Sequence, residues 1–144
     1  MKVKVENIIT HPGFRLLDTV EYEAYGALLQ GDETQARGLL HGFHYKQYWT
    51  GIRNITTGEY VAKVYRERGT AKPSSYADSD PEIVAEAVNR RVDDHIANAL
   101  DIIENGCREL PLGVREGDRV RLWDGHNRAA LLAAMGHEAI EVRT

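Results

Sequence analysis

The chain has 144 residues, 42% of them hydrophobic and 28% charged, and a formal net charge of −4. This length supports one compact domain with a sizeable core, and no apolar run approaches the roughly 20 residues of a membrane span. The acidic balance excludes an autonomous, non-specific nucleic-acid binder, which needs a basic face to release counterions. The single cysteine, Cys107, excludes an internal disulfide framework and fits a reducing compartment. The opening Met1-Lys-Val-Lys-Val-Glu6 alternates like a strand and lacks the apolar core of a signal peptide. A cytoplasmic protein with no membrane partner is expected.

Residues 3–9 read as a first strand, ended by His11-Pro12-Gly13, where proline and glycine enforce a turn. Thr19 is placed to cap a helix over residues 20–30, with Tyr22, Tyr25, Leu28 and Leu29 spaced for one face and Gly31-Asp32 stopping it. A short second helix is expected from about Glu33 to His41, since Ala36, Leu39 and Leu40 recur at helical spacing. The most aromatic stretch follows; Tyr45, Tyr48 and Trp49 suit packing first and base stacking second. Ile52 to Ile55, a Thr56-Thr57-Gly58 turn and Glu59 to Tyr65 read as a β-hairpin. Residues 69–79 form a loop of small and polar residues, long enough to cover a site.

The clearest helix begins where Ser79 or Asp80 supplies a cap, Pro81 fits the first turn and Glu82 complements the dipole. Val84, Val88, Val92, Ile96, Ala99, Leu100 and Ile103 make a continuous stripe, and Asn105-Gly106 ends it. Its length predicts a kink near Asp93 or an exposed half. His95 lies on the stripe and reads as a hydrogen-bonded core histidine. Residues 110–114 and 120–123 are expected to pair as a hairpin around Glu116-Gly117-Asp118, and residues 139–142 to form a last strand.

Chemistry concentrates between that hairpin and the last strand. Asp124-Gly125-His126-Asn127-Arg128 forms a polar elbow before Ala129 to Met135, a run without a polar side chain. A helix that is apolar all round is buried, so its polar atoms gather at the N-terminal end. Free backbone N–H groups and the positive end of the dipole lie there too, and together they favour an anion. Arg128 in the first turn opposes the dipole, at a cost of about 0.3–1 kcal/mol unless an anion or acid offsets it. The plainer alternative is a capped helix with a surface salt bridge. Asp124 has two readings, the N-cap of the helix or a group beside a magnesium ion that the phosphates of a ligand carry. His11, His41, His44, His95 and His137 include no His-Glu-x-x-His spacing, so no metal site is expected. Cys107 reads as a small half-buried side chain rather than a reactive thiol.

From Leu100 onward these parts follow an order that resembles the ParB/sulfiredoxin superfamily. They are Ile102-Ile-Glu-Asn-Gly106, Leu110-Pro-Leu-Gly-Val114, Arg121-Leu-Trp-Asp-Gly-His-Asn-Arg128, the alanine-rich run, Gly136 and Ala139-Ile-Glu-Val142. Ile9-Thr-His-Pro12-Gly-Phe-Arg15 is similar to the family's opening strand and turn. The resemblance implies an α+β fold, a small mixed sheet with helices, in which residues 1–144 form a single ParB/sulfiredoxin-like domain. Residues 100–144 would carry the core motifs, and residues 16–99 would be a helical and β-hairpin insertion.

The resemblance also implies a bound nucleotide (ATP, ADP or CTP) accompanied by Mg²⁺, or another phosphate-bearing small molecule. Gly125 would let backbone approach a phosphate, His126 and Asn127 would donate to it, and Arg128 would pair with its oxygens, with Arg15 as a second contact. Asp124 and His126 are the catalytic candidates, for phosphoryl transfer or nucleotide hydrolysis, chemistry that rests on positioning and charge stabilisation. Three departures limit the carry-over. Sulfiredoxins have their nucleophilic cysteine where this chain has His126. The family's free serine kinases have a second histidine at Asn127 and an acidic residue at Phe14. Many small stand-alone members are called ParB-like nucleases of phages and mobile elements. A nuclease or DNA/RNA-processing accessory therefore remains open, with the elbow on a backbone phosphate and aromatic residues stacking bases. So does a non-enzymatic interaction protein with a ligand pocket, whose long helix forms a homodimer.

Overall fold

The computed structural model describes residues 1–54 and 81–144, with side chains described for residues 1–46 and 85–144. The expected turn and second arm of the hairpin, the loop over 69–79 and the Ser79/Asp80 cap lie outside the described residues. Those described form an α+β arrangement of four α-helices and two small sheets. Among them, no helix is long and apolar enough to cross a membrane. The chain divides into two compact units, one made of residues 1–40 and 95–144, the other of residues 41–94.

The first unit holds the five strands found among the described residues. The expected first strand is broken into β1 (Lys2–Lys4) and β2 (Ile8–Ile9) by a 3₁₀ turn over Val5–Asn7. Each piece has its own partner. β1 pairs antiparallel with β5 (Ala139–Glu141), Val3 opposite Ile140. β2 pairs parallel with β4 (Arg119–Asp124), Ile9 opposite Arg121. Adjacent residues of a strand face opposite ways, so burial of both Ile8 and Ile9 requires cover on both faces. The turn transfers the chain from a strand with one buried side chain to that doubly covered position.

β3 (Leu112–Glu116) and β4 form the expected hairpin, giving the order β2-β4-β3. Val120 and Leu122 of β4 enter the core, while Arg119 and Trp123 are exposed. The register shifts between Leu112 and Gly113. A Cβ on Gly113 would lie 2.9 Å from the Arg121 carbonyl oxygen, so the irregularity sits where backbones approach closely.

After β4 comes α4 (His126–Ala134), whose Ala129, Ala130, Leu131 and Ala133 are buried as its composition requires. It packs against α1 (Val20–Leu29), which contributes Ala24, Tyr25, Ala27 and Leu28 to the core. Thr19 caps α1 as expected, its Oγ1 accepting from the Tyr22 amide at 3.3 Å and donating to the Leu16 carbonyl at 2.7 Å. Thr19→Ala is expected to cost about 1 kcal/mol, read as a lowered urea midpoint at constant slope. Residues 16–40 thus cluster with the strands, because α1 supplies cover for α4.

Gly31, at φ 87°, ends this segment, and the Asp32 carboxylate accepts from the Gln35 amide at 2.9 Å to start α2. α2 (Glu33–Asn54) has 22 residues and corrects two expectations. It does not stop near His41, and Ile52, Arg53 and Asn54 are helical rather than the arm of a hairpin. No proline interrupts the span, and each of its three glycines, Gly38, Gly42 and Gly51, costs a helix only about 1 kcal/mol. The β-preference of its aromatic and branched residues is a weak signal that context overrides. His41 and Tyr45, four apart, stack at 6.0 Å as helical spacing allows.

α3 (Pro81–Asn105) starts at Pro81 as expected and runs unbroken through Asp93 for 25 residues. Val88, Val92, Ile96 and Ala99 of the stripe are buried. Gly106 at φ 85° closes it, its amide donating to the Ile102 carbonyl at 2.8 Å. His95 is half-buried, its Nδ1 3.5 Å from the Tyr25 hydroxyl. Burial, and secondarily the Glu21 carboxylate, push the Tyr25 phenol above its ordinary range, so that hydroxyl keeps its proton.

Candidate functional site

The elbow between β4 and α4 is made by Gly125, which adopts left-handed angles (φ 84°, ψ 27°) at the N-cap position. Its carbonyl accepts the first helical bond from the Ala129 amide at 2.9 Å. His126, Asn127 and Arg128 are the first three helical residues, and a glycine cap has no side chain to receive their amides. Among the described residues no acceptor meets these three N–H groups, the usual orphans of a helix start. Asp124 is therefore not the N-cap. It precedes the cap by one residue and turns its carboxylate to Arg128 instead.

Arg128 folds back across the glycine. A Cβ on Gly125 would come within 2.7 Å of the Arg128 Nη2 and 2.9 Å of the Pro111 Cα. The position thus needs glycine twice, for its dihedrals and for the space above it. Nη1 donates to Glu109 Oε2 at 3.2 Å and Nη2 to Asp124 Oδ2 at 3.4 Å. Nε is shielded from solvent and has no partner among the described residues. The guanidinium side chain is 22% exposed, but the two acids are 80% and 73% exposed. These acids supply the offset that a cation in the first turn requires. Pairs of such exposure contribute at most about 1 kcal/mol each.

The loop after β2 closes one side of the elbow. Gly13 at φ 101° lets residues 10–14 turn tightly, with the Thr10 amide donating to the Phe14 carbonyl at 2.7 Å and the Phe14 amide to Thr10 Oγ1 at 3.0 Å. The backbone N–H of His11 then donates to Nε2 of His126 at 3.0 Å. That bond assigns the tautomer, because an accepting Nε2 leaves the ring proton on Nδ1. Burial lowers the basicity of His126, the neighbouring His11 lowers it further, and Asp124 opposes both. Arg121 bonds Glu116 through its guanidinium and donates from Nη1 to the His11 carbonyl at 2.8 Å. The Trp123 indole, 56% exposed, meets the His11 ring edge-on at 4.8 Å.

Of the residues singled out from sequence, Asp124, Gly125, His126 and Arg128 come together in direct contact or sequence adjacency. Asn127 is exposed beside them. Arg15 is exposed on the far arm of the His11 loop and lies 3.8 Å from Asp18; the loop meets the elbow through His11. Phe14 is an exposed aromatic. Glu109, Pro111, His11 and Trp123 were not foreseen as parts of the site. The hairpin register held a signal for two of them: Leu112 opposes Asp124, so counting one residue further puts Pro111 opposite Gly125 and Glu109 close by. His11 touches His126 across 115 residues, which no local pattern reports. The half-buried Cys107 donates to the Glu109 carbonyl at 3.0 Å.

Among the described residues no group of three or more His, Cys, Asp or Glu side chains converges on a metal position. The arrangement offers outward amides, a held guanidinium and a neutral imidazole, all suited to an anionic oxygen. Comparison of the chain with family models, curated proteins and solved structures found no match.

Proposed function

We propose that the Asp124–Arg128 elbow binds a phosphate group, carried by a nucleotide or another phosphate-bearing small molecule, as the resemblance to the ParB/sulfiredoxin superfamily implies. The observation that carries this reading is the coincidence of three open amides at the start of α4 with a guanidinium folded over a left-handed glycine. A helix start presents about half a positive charge to such a group. Arg128 can pair with phosphate bidentately, and charge-assisted bonds of that kind are roughly twice as strong as neutral ones. The exposed carboxylates of Glu109 and Asp124 hold it only weakly in the meantime. Magnesium in this reading enters on the phosphates of the ligand. If the bound ligand reacts, phosphoryl transfer or hydrolysis is the class, with Arg128 and the amides stabilising charge and Asp124 and His126 nearest the reacting group.

Calorimetry with ATP, ADP, CTP and GTP, each with and without Mg²⁺, tests the reading. At least one nucleotide is expected to bind, and Arg128→Ala to weaken it about ten- to a hundredfold, the loss of a charge-assisted bond. The variant should melt close to the parent, since the carboxylates that hold Arg128 are exposed and contribute little to stability. Glu109→Gln should tighten binding by removing a competing carboxylate. Heat from no nucleotide, with the parent folded, would overturn the proposal.

A second reading is favoured by Trp123, exposed two residues before the glycine. A single-stranded nucleic acid could place a backbone phosphate on the elbow and stack a base on the indole. Salt-sensitive retention of single-stranded DNA or RNA that Trp123→Ala abolishes would favour it over the first reading.

A further inference from the structure

The contact between the His11 loop and α4 has a polarity that one protonation state permits. A backbone N–H can only donate, so its 3.0 Å bond to His126 requires a lone pair on Nε2. Protonating that nitrogen would set two donors face to face. The loop has a second tie, the Arg121 bond to the His11 carbonyl at 2.8 Å, and arginine keeps its charge at any physiological pH. One tie is thus titratable and the other permanent.

We propose that His126 is a proton-operated latch, which holds residues 10–14 against the start of α4 when neutral and releases them when protonated, with Arg121 left as the tether. Release swings the His11 amide away from the elbow and withdraws the His11 ring from the edge of Trp123, so the latch governs access to the indole. The inference does not depend on what the elbow binds.

The surroundings of His126 favour the latched state near neutrality. Burial and the His11 imidazole disfavour a charge on the ring, and Asp124 favours one. The positive end of α4 also disfavours it. Arg128 stands two residues on, with its charge met by Glu109 and Asp124. On the other elements packed against α4, Asp18 pairs with Arg15, Glu141 pairs with the N-terminal ammonium, and Glu21 is half-buried on α1. The folded pKa of His126 lies below the ordinary 6.5. The latch therefore contributes stability that is fully present above that ordinary value, and that is lost as pH falls through the folded one.

Nuclear magnetic resonance on the full chain from about pH 8 to about pH 5, the range in which histidines titrate, reads the latch at both ends. The His11 amide is expected to shift with the midpoint of the His126 ring rather than that of its own ring. Its protection from hydrogen exchange, corrected for the intrinsic pH dependence, should fall by up to roughly tenfold per pH unit as pH drops from the ordinary histidine value to that midpoint, and level off below it. In His126→Gln the side-chain oxygen accepts at every pH, so the His11 amide should stay protected across the whole range. In His11→Ala the amide persists without its imidazole, and the latch should persist with its midpoint moved up. The proposal fails if the amide follows the His11 ring, if His126→Gln leaves the pH dependence intact, or if ionisation of His126 does not move the amide.

Discussion

Gly125→Ala is expected to lower the stability of the chain by about 2–5 kcal/mol and to abolish any ligand response of the elbow. Left-handed angles cost an alanine about 1–2 kcal/mol, and a methyl group against the Pro111 backbone adds overpacking of about 1–3 kcal/mol. The methyl also lands on the Arg128 guanidinium, which must swing out to solvent and lose its place over the amides. Urea unfolding measures the first effect and calorimetry the second. Gly125→Asn separates the two causes, because asparagine tolerates left-handed angles but carries the same Cβ. If Asn is nearly as damaging as Ala, the approach of Pro111 dominates; if Asn restores most of the stability, the dihedral does.

Leu131→Ala is expected to cost about 2–5 kcal/mol, the range for a fully buried leucine, and to fall in its upper half. Leu131 is 1% exposed at the centre of α4. The α1–α4 core is rich in alanines, Ala24, Ala27, Ala129, Ala130 and Ala133, which have no side chain to extend into a void. The cavity should therefore stay open. Total stabilities of single domains run about 5–15 kcal/mol, so this one change can take most of it. The urea midpoint should fall with the slope unchanged; a loss below about 1 kcal/mol would show that α4 is not the centre of the core.

Much of the α+β character was legible because local signals mark it without ambiguity. Thr19, Gly31, Pro81 and Gly106 set the ends of α1 and α3, and the alternation around Gly117 gives the β3–β4 hairpin. What was not legible rests on pairings distant in sequence or on weak preferences. Val3 to Ile9 alternates well enough for one strand, but β1 and β2 answer to different partners. Residues 42–54 carry strand-prone side chains yet remain helical. At the elbow, the run of polar residues before an alanine-rich helix identified the place and Arg128 its cation. The sequence could not tell that the glycine, not Asp124, occupies the cap, nor that Arg128 spends its donors on Glu109 and Asp124. Nor could it show His126 as an acceptor, since its donor belongs to the backbone of a loop at the other end of the chain.

The strand pairing has a consequence for the order in which this protein takes shape. β4, which delivers the elbow, lies between β2 near residue 9 and its own hairpin partner, and β1 waits for β5. Among the described residues, the strand partners of residues 2–9 lie no earlier than residue 119. Closing loops of that length is entropically costly and slows folding relative to a helical bundle. The elbow is thus a late product of folding. A peptide covering residues 119–136 would carry its characteristic residues without its geometry, and a chain lacking β5 would lose the strand that pairs with β1 among the described residues.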